Sequence, residues 1–569
     1  MFRTLIAALF ASTVILPTAG QTEGLAGAYL AARQASFYSD YAQAADWYSR
    51  ALIQDPQNPV LQENALTAWV GLADFEQAIA ISQVMRGAGF DTQQTSILTV
   101  ADLGAQQEFE TLLETYQGAV NIGPLVDGLV TSWALVGAGQ MSAALEGFDA
   151  VSEDESTRAF GLYHKALALA QVGDYEGADG ILSGRYSGAI PATVNGILTH
   201  VEVLSQLERN ADALELLQSI FGHSTDPVIT QMTATLEAGD TLPLSVATSA
   251  SEGLAEVFFS VAGVLESEAA PAYALLFSRT AEHLNPRSVP AMLLSASLLE
   301  KLEQYDLANT TYDRVPRSHP SFHEAEIGRA EALRQSGKDD AAIEALRQLA
   351  ETRFDLPVAH SALGDALRSM ERFEEASAAY DNAIALFGDP EPGHWGAYYT
   401  RGITLERQDR WEEAEADFRF ALELSPGQPF VLNYLGYSLV EKRENLDEAL
   451  AMIEQAVEAR PDDGYITDSL GWVLYRLGRY DEAVGHMERA AELEPVDPVV
   501  SDHLGDVLWA VGRQREAVFQ WKRALSFVNP DEVHPEADPE RIRRKLDVGL
   551  DVVLEEEGAD PLAVAGSGD

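Results

Sequence analysis

Residues 465–495 read YITDSLGWVLYRLGRYDEAVGHMERAAELEP, and this stretch decides the fold. Its landmarks are Leu470-Gly471, Leu474, Gly478, Tyr480, Ala483, Met487, Ala490 and Pro495. One period later they return as Leu504-Gly505, Leu508, Gly512, Ala517, Trp521 and Ala524. Counting backwards, the residues that answer to Gly471 are Gly436, Gly402, Gly364, Ala330, Ala296 and Ala262. Five of the seven spacings from Ala262 to Gly505 are 34 residues, and the other two are 38 and 35. The 38 contains the loop Gly388-Asp389-Pro390-Glu391-Pro392, and the 35 has one added residue in Lys442-Arg443-Glu444-Asn445. A fixed period of this length marks a repeat architecture, in which each unit buries its apolar face against the next.

The residue types at each offset have mechanical reasons. Gly or Ala at the eighth position, with Ala at the twentieth (Ala308, Ala342, Ala376, Ala414, Ala449, Ala483, Ala517), lets two antiparallel helices approach closely. Aromatics at the twenty-fourth (Tyr312, Tyr380, Phe418, Trp521) fill the space between one hairpin and the next. Pro320, Pro426, Pro461 and Pro495 stop the second helix, because proline lacks an N–H and clashes with the preceding turn. This pattern resembles the tetratricopeptide repeat (TPR) superfamily, and the resemblance implies an all-α, α–α superhelical solenoid of helical hairpins.

The first half keeps the frame more loosely. Tyr41, Ala44, Tyr48, Ala51 and Pro56 make one unit, and Phe75 with Ala78 a second. A degenerate unit surrounds Leu103 and Phe109, followed by Gly139-Ala144-Phe148, Gly173-Tyr175-Ala178 and Leu204-Ala213-Leu217. Six hairpins are expected here and eight afterwards, about 14 in all. Between them Gly239-Asp240-Thr241-Leu242-Pro243-Leu244-Ser245 breaks the helical pattern. The expected organisation is a degenerate array over 23–235, an irregular joint over 236–250 and a regular array over 251–530. The joint is either a hinge or a non-helical connection. Repeat arrays need a polar-faced end cap, and a helix over 538–557, apolar at Ile542, Leu546, Leu550 and Val553, fits that need. Its Arg541-Arg543-Arg544-Lys545 cluster reads as a cap packed on an acidic stack, with partner docking as the second reading. Residues 558–569 are expected to be a disordered tail.

Met1-Phe2-Arg3, the apolar run from Leu5 to Leu16 and Pro17-Thr18-Ala19-Gly20 read as a signal peptide over residues 1–20. The run is shorter than the roughly 20 residues a bilayer span requires. With no cysteine for a lipid anchor, the expectation is an exported, periplasmic protein without stable membrane insertion. The same lack of cysteine removes thiolate chemistry and Cys-based metal centres. Lys+Arg number 38 against 89 Asp+Glu, a formal net charge of -51, which makes nucleic acid a poor partner. Residues 23–260 hold 7 Lys+Arg and 30 Asp+Glu, and 261–569 hold 30 and 59, so basic residues concentrate in the second arm.

No nucleophile, phosphate-loop or His-Glu-x-x-His motif occurs. His319 and His323 stand at i, i+4, but Pro320 and the loop between hairpins spoil the helix such a metal pair needs. No enzyme, cofactor or metal is expected. The TPR resemblance instead implies a groove lined by the first helix of each hairpin. The family's groove offsets carry Tyr399, Phe430, Asn433, Tyr437, Tyr465, Asp468, Trp472, Tyr475, Arg476, Asp502, Asp506 and Trp509. Aromatics interleaved with carboxylates suit a protein partner whose docking segment is apolar or basic. Of the Lys/Asn clamp with which some TPR domains grip a carboxylate, only Asn433 is present.

Asn433-Tyr434-Leu435-Gly436-Tyr437, Asp468-Ser469-Leu470-Gly471-Trp472 with Tyr475, and His503-Leu504-Gly505-Asp506-Val507-Leu508-Trp509 resemble bacterial envelope TPR proteins of the LbcA type. These are lipoprotein adaptors for a carboxyl-terminal processing protease, and the likeness covers roughly 395–530. It implies a scaffold or adaptor whose protein partner is an envelope protease or an assembly complex. The alternative is a purely architectural or self-associating envelope component.

Overall fold

The computed structural model describes residues 25–116, 121–186, 188, 193–222, 224–530, 534–559 and 562. The expected signal peptide lies outside the described residues, as does most of the expected tail. Thirty-one α-helices and no strand occur among the described residues. Fourteen turn-linked helix pairs make up most of the described residues, six before residue 236 and eight after 250. None of the described helices is long and apolar enough to cross a membrane.

Local chemistry explains why each pair starts and turns where it does. Some first helices open on a capping side chain followed directly by proline. Asn58, Asp226 and Asp497 accept from the next free N–H groups, and the proline behind each needs no partner there. Second helices often open with an Arg that bridges a carboxylate three residues on, as in Arg372–Glu375, Arg410–Glu413, Arg479–Glu482 and Arg513–Glu516. The turn between the two helices passes through a left-handed residue. At Gly478 (φ 73°) the N–H reaches Tyr475 O, and the following Arg479 N–H reaches back to Leu474 O, closing the first helix. Left-handed residues 303, 337, 371, 409, 443, 478 and 512 carry the sequence period into the backbone.

The eighth-position glycines are where the twenty-fourth-position aromatics land. A Cβ on Gly402 would sit 2.6 Å from Phe418 Cε1, and Gly364 stands in the same way under Tyr380 and Gly505 under Trp521. These aromatics therefore seat first within their own hairpin. Tyr312 differs: it packs on Gly328 of the following pair, as expected from the sequence.

Two compact units divide the chain, Met1–Leu346 and Arg347–Asp569, with the boundary inside the Asp339–Thr352 helix. In the first unit the opening helices of the second to fifth pairs present one face. That face is covered by the chain's own Ala250–Glu268 helix, which packs on Gln93–Ala105, Pro124–Gly137 and Arg158–Gln171. Its partner Pro271–Leu284 packs on Pro59–Gly71 and Gln93–Ala105. The residues permit this: Gly253 lies directly on the Trp133 ring, where a Cβ would collide. Ser251 Oγ donates to Gly104 O at 2.7 Å, and Tyr163 OH donates to Glu256 Oε1 at 2.9 Å. Phe258 is fully buried against Phe277, a burial that stabilises by about 2–3 kcal/mol.

Residues 239–249 stand where the second helix of a seventh pair would be. Leu242 N–H donates to Ser205 Oγ (2.9 Å), Gln206 Nε2 donates to Leu242 O (2.6 Å), and Ser245 N–H donates to Glu202 Oε2 (3.0 Å). The Val194–Gln206 helix thus supplies the backbone partners that a helix would have supplied internally. This stretch of the 236–250 joint is a bonded, non-helical connection within the first unit.

Candidate protein-binding groove

In the second unit the opening helices Pro357–Ser369, Trp395–Glu406, Pro429–Lys442, Gly464–Arg476 and Pro498–Ala510 follow one another. Their side chains divide the expected groove into different environments. Tyr399 is half-buried among the rings of Trp395, Phe418 and Tyr434, each about 6 Å away, and acts as packing. Phe430 and Tyr465 are exposed. The Arg460 guanidinium lies 4.8 Å from the Phe430 ring centre, and Tyr465 OH is 3.4 Å from Asp497 Oδ2. Asn433 is half-buried, with its Oδ1 lacking a partner among the described residues.

The remaining positions converge. Trp472 stacks on His503 (3.9 Å, 13°) and on Tyr475 (4.8 Å), and its Nε1 donates to Glu441 Oε1, which also accepts from Arg476. His503 Nδ1 sits 2.9 Å from Asp468 Oδ2. Burial opposes a charge on His503, but the carboxylates of Asp468, Glu536 and Asp502 together outweigh it and raise the imidazole above its ordinary value. A charged ring there gains from the Trp472 face.

Asp502, Asp506 and Trp509 meet the chain's own C-terminal segment, comprising the 3-10 turn Pro535–Ala537 and the helices Pro539–Val548 and Leu550–Glu556. Lys545, whose side chain is wholly buried, donates to Asp502 Oδ2 (2.7 Å) and to both oxygens of Asp506 (2.6 and 2.8 Å). Trp521 Nε1 also donates to Asp506, and Trp509 Nε1 donates to Asp551 Oδ2 at 2.9 Å. Burial holds the Asp502 carboxyl above its ordinary value against the pull of Lys545. Tyr437 OH donates to Glu536 Oε1 at 2.9 Å. Four expected groove residues, Tyr437, Asp502, Asp506 and Trp509, are therefore engaged internally.

What stays open lies upstream. A cavity of 610 Å³ runs along Pro357–Ser369, Trp395–Glu406 and Pro429–Lys442, lined by Arg368, Glu406, Arg407, Tyr434, Tyr437 and Glu441. Its far wall is His534, Pro535 and Glu536. Arg407 lies over the Phe373 ring at 5.8 Å, and Glu406 accepts from Tyr434 OH (2.7 Å) and Ser438 Oγ (3.2 Å). A cavity in the first unit is smaller, 370 Å³, and its Glu282 is already matched to Arg279 and Arg314.

Among the described residues one trio has metal-ligand character: atoms of Asp226, His323 and Glu324 lie within 4.8 Å of one another. His319 is not in it; its Nδ1 accepts the Ser321 N–H. His323 Nδ1 is 3.0 Å from Pro320 O and Asp226 Oδ1 caps the Pro227–Glu237 helix, so both ligands are partly committed to local structure.

The family model described as tetratricopeptide repeat matches residues 293–355, 361–429 and 435–498. Those three stretches place tetratricopeptide repeats between residues 293 and 498 of the chain. Among curated proteins it is 28% identical over 159 residues to TPR repeat-containing protein PA4667 of Pseudomonas aeruginosa, covering 28% of this chain and 26% of that one. It is 36% identical over 66 residues to Cell division cycle protein 27 homolog B of Arabidopsis thaliana, covering 12% and 9%. The chain thus spans about a quarter of the first relative and under a tenth of the second. Among solved structures, the APC/C hetero-tetramer Cut9–Hcn1 is similar at 13% identity and a TM-score of 0.38, covering 90% of this chain and 95% of that chain.

Within the TPR frame, the open cavity's residues fall at offsets the sequence already marked. Counting Gly364, Gly402 and Gly436 as eighth positions, Arg368 and Glu406 are twelfth, while Arg407 and Glu441 are thirteenth. Weighting the aromatic positions hid them. The periodic signal that would have found them is the one that found Trp472 and Trp509.

Proposed function

We propose that this TPR protein is an exported scaffold of a bacterial envelope that holds a protein partner in the open section of its second unit. The observation that carries this reading is the 610 Å³ cavity, where three successive repeats present Arg368, Arg407, Glu406 and Glu441 beside Phe373 and Tyr434. Charged groups at an apolar floor give orientation and specificity, while the rings supply contact area. Export is supported by the composition of residues 1–20 and by the envelope-adaptor resemblance over 395–530. The chemistry of binding needs no cofactor.

A photo-crosslinking residue in place of Phe373, used in the native envelope, is expected to trap one dominant protein, with the mature chain's mass showing loss of residues near 1–20. Arg368→Glu with Arg407→Glu should lower that yield by about ten-fold or more, with the helical circular-dichroism signal unchanged. Undiminished trapping by the double variant would remove this cavity as the working surface.

A further inference from the structure

The C-terminal segment looks less like a lid than like something bound. Four of the ten residues in Pro539–Val548 are basic, within a chain of net charge -51. It sets Lys545 between Asp502 and Asp506, with Arg541 Nη1 3.6 Å from Asp506 Oδ2. Ile542, Leu550 and Val553 fill the apolar gaps, and Gly549 (φ 88°) brings the chain against the Trp509 ring. An end cap needs only apolar contact below and polar groups above. A fully buried lysine between two buried carboxylates adds little net stability over an apolar side chain, and its gain is selection of one register and one ligand chemistry.

A second observation points to a ligand. Asp502 is 1% exposed and Asp468 6% exposed, yet Oδ1 of each has no hydrogen-bond partner among the described residues. The carboxylates at this end of the groove hold more acceptor capacity than the segment satisfies. An additional basic side chain would satisfy it, since Arg presents five donors and Lys three.

Resting on the scaffold reading above, we infer that the Asp468–Asp502–Asp506 end of the groove is a receptor site for a basic helical segment of a partner protein. The segment's two basic residues stand four apart, as Arg541 and Lys545 do. Residues 534–557 occupy this site as a tethered internal ligand that the partner displaces. Displacement also removes the His534–Glu536 wall of the open cavity, joining the two sections of groove. Tethering gives the internal ligand an effective concentration of about millimolar, so weak basic helices are excluded and only a segment with further contacts upstream competes.

The test uses the full chain and a fluorescent peptide of residues 534–558. Ile542→Asp with Leu550→Asp should release the internal segment, read as fast amide exchange over 539–556 with the Pro498–Ala510 helix still protected. The peptide should then bind about ten-fold or more tightly than it binds the unaltered chain. A peptide carrying Lys545→Glu, or an opened chain carrying Asp502→Asn and Asp506→Asn, should lose that binding. An opened, folded chain that ignores the peptide overturns the proposal and leaves the segment as a cap. Should the opened variant unfold, excess peptide is added to the unaltered chain: accelerated exchange over 539–556 supports the proposal, and none at several times the effective concentration overturns it. Arg368→Glu with Arg407→Glu leaves intact the binding of a shorter peptide, residues 538–558, which lacks the His534–Glu536 wall of the open cavity, so failure of the open cavity and failure of this site are told apart.

Discussion

Glu256 is buried on the Ala250–Glu268 helix, and desolvation holds its carboxyl up to about 7, against an ordinary 4.5, although Tyr163 OH donates to it. Glu202, beside the same tyrosine, is raised to about 7 by the same cause. Both groups bind a proton more tightly folded than unfolded, so the first unit gains stability as pH falls through 7 and loses it as pH rises. Buried His164, depressed to about 3, acts oppositely, but only below its ordinary 6.5. Between pH 8 and 6.5 the carboxyls act alone, each contributing on the order of 1 kcal/mol. Urea unfolding of the first unit should show that gain, and Glu256→Gln should remove roughly half of it. A variant with the slope of the unaltered chain would place the titration elsewhere. None of this was legible in the sequence: Glu256 is one of 89 acidic residues, and only the tertiary placement of its helix strips it of water. Tyr399 shows the same limit, since an aromatic at a groove offset reads alike whether it faces a partner or, as here, three neighbouring rings.

At the scale of the element, the hairpins were legible because their signals are local and repeat: a small residue where helices cross, a ring opposite it, a stop after the second helix. The turns add a signal the residue types only half reveal. Gly478 and Gly512 occupy the left-handed position, but the equivalent sites hold Glu303, Glu371 and Asp409, where a side chain costs about 1 kcal/mol or more. Glu371→Gly is therefore expected to raise the second unit's stability by roughly 0.5–1 kcal/mol, and Gly512→Ala to lower it by about 1 kcal/mol or more, in urea unfolding. The opposite order would mean that the turn does not limit the hairpin. The 239–249 connection was legible as a break in helix. Its bonding to Ser205, Gln206 and Glu202 was not, because those partners lie more than thirty residues away. The Ala250–Glu268 helix, which kept the repeat frame through Ala262, gave no local sign that it would fill the first unit's inner face.

Across the whole molecule, each unit covers part of its own inner face with a later piece of the same chain, and the two coverings differ in kind. Nine of the nineteen residues of Ala250–Glu268 are buried, mostly apolar and closely fitted at Gly253. Only two of the ten residues of Pro539–Val548 are buried, and one of them is Lys545, held by charge. Opening free energy follows buried apolar contact and local packing, so native-state hydrogen exchange should separate the two. Amides of Ala250–Glu268 are expected to exchange only with global unfolding of the first unit. Those of Pro539–Val548 should exchange through local opening, ~100-fold faster or more, which corresponds to about 3 kcal/mol less protection. Equal protection would make both segments permanent parts of their units. A wide separation would leave the first unit as a filled scaffold and the second as the one whose groove can change its occupant.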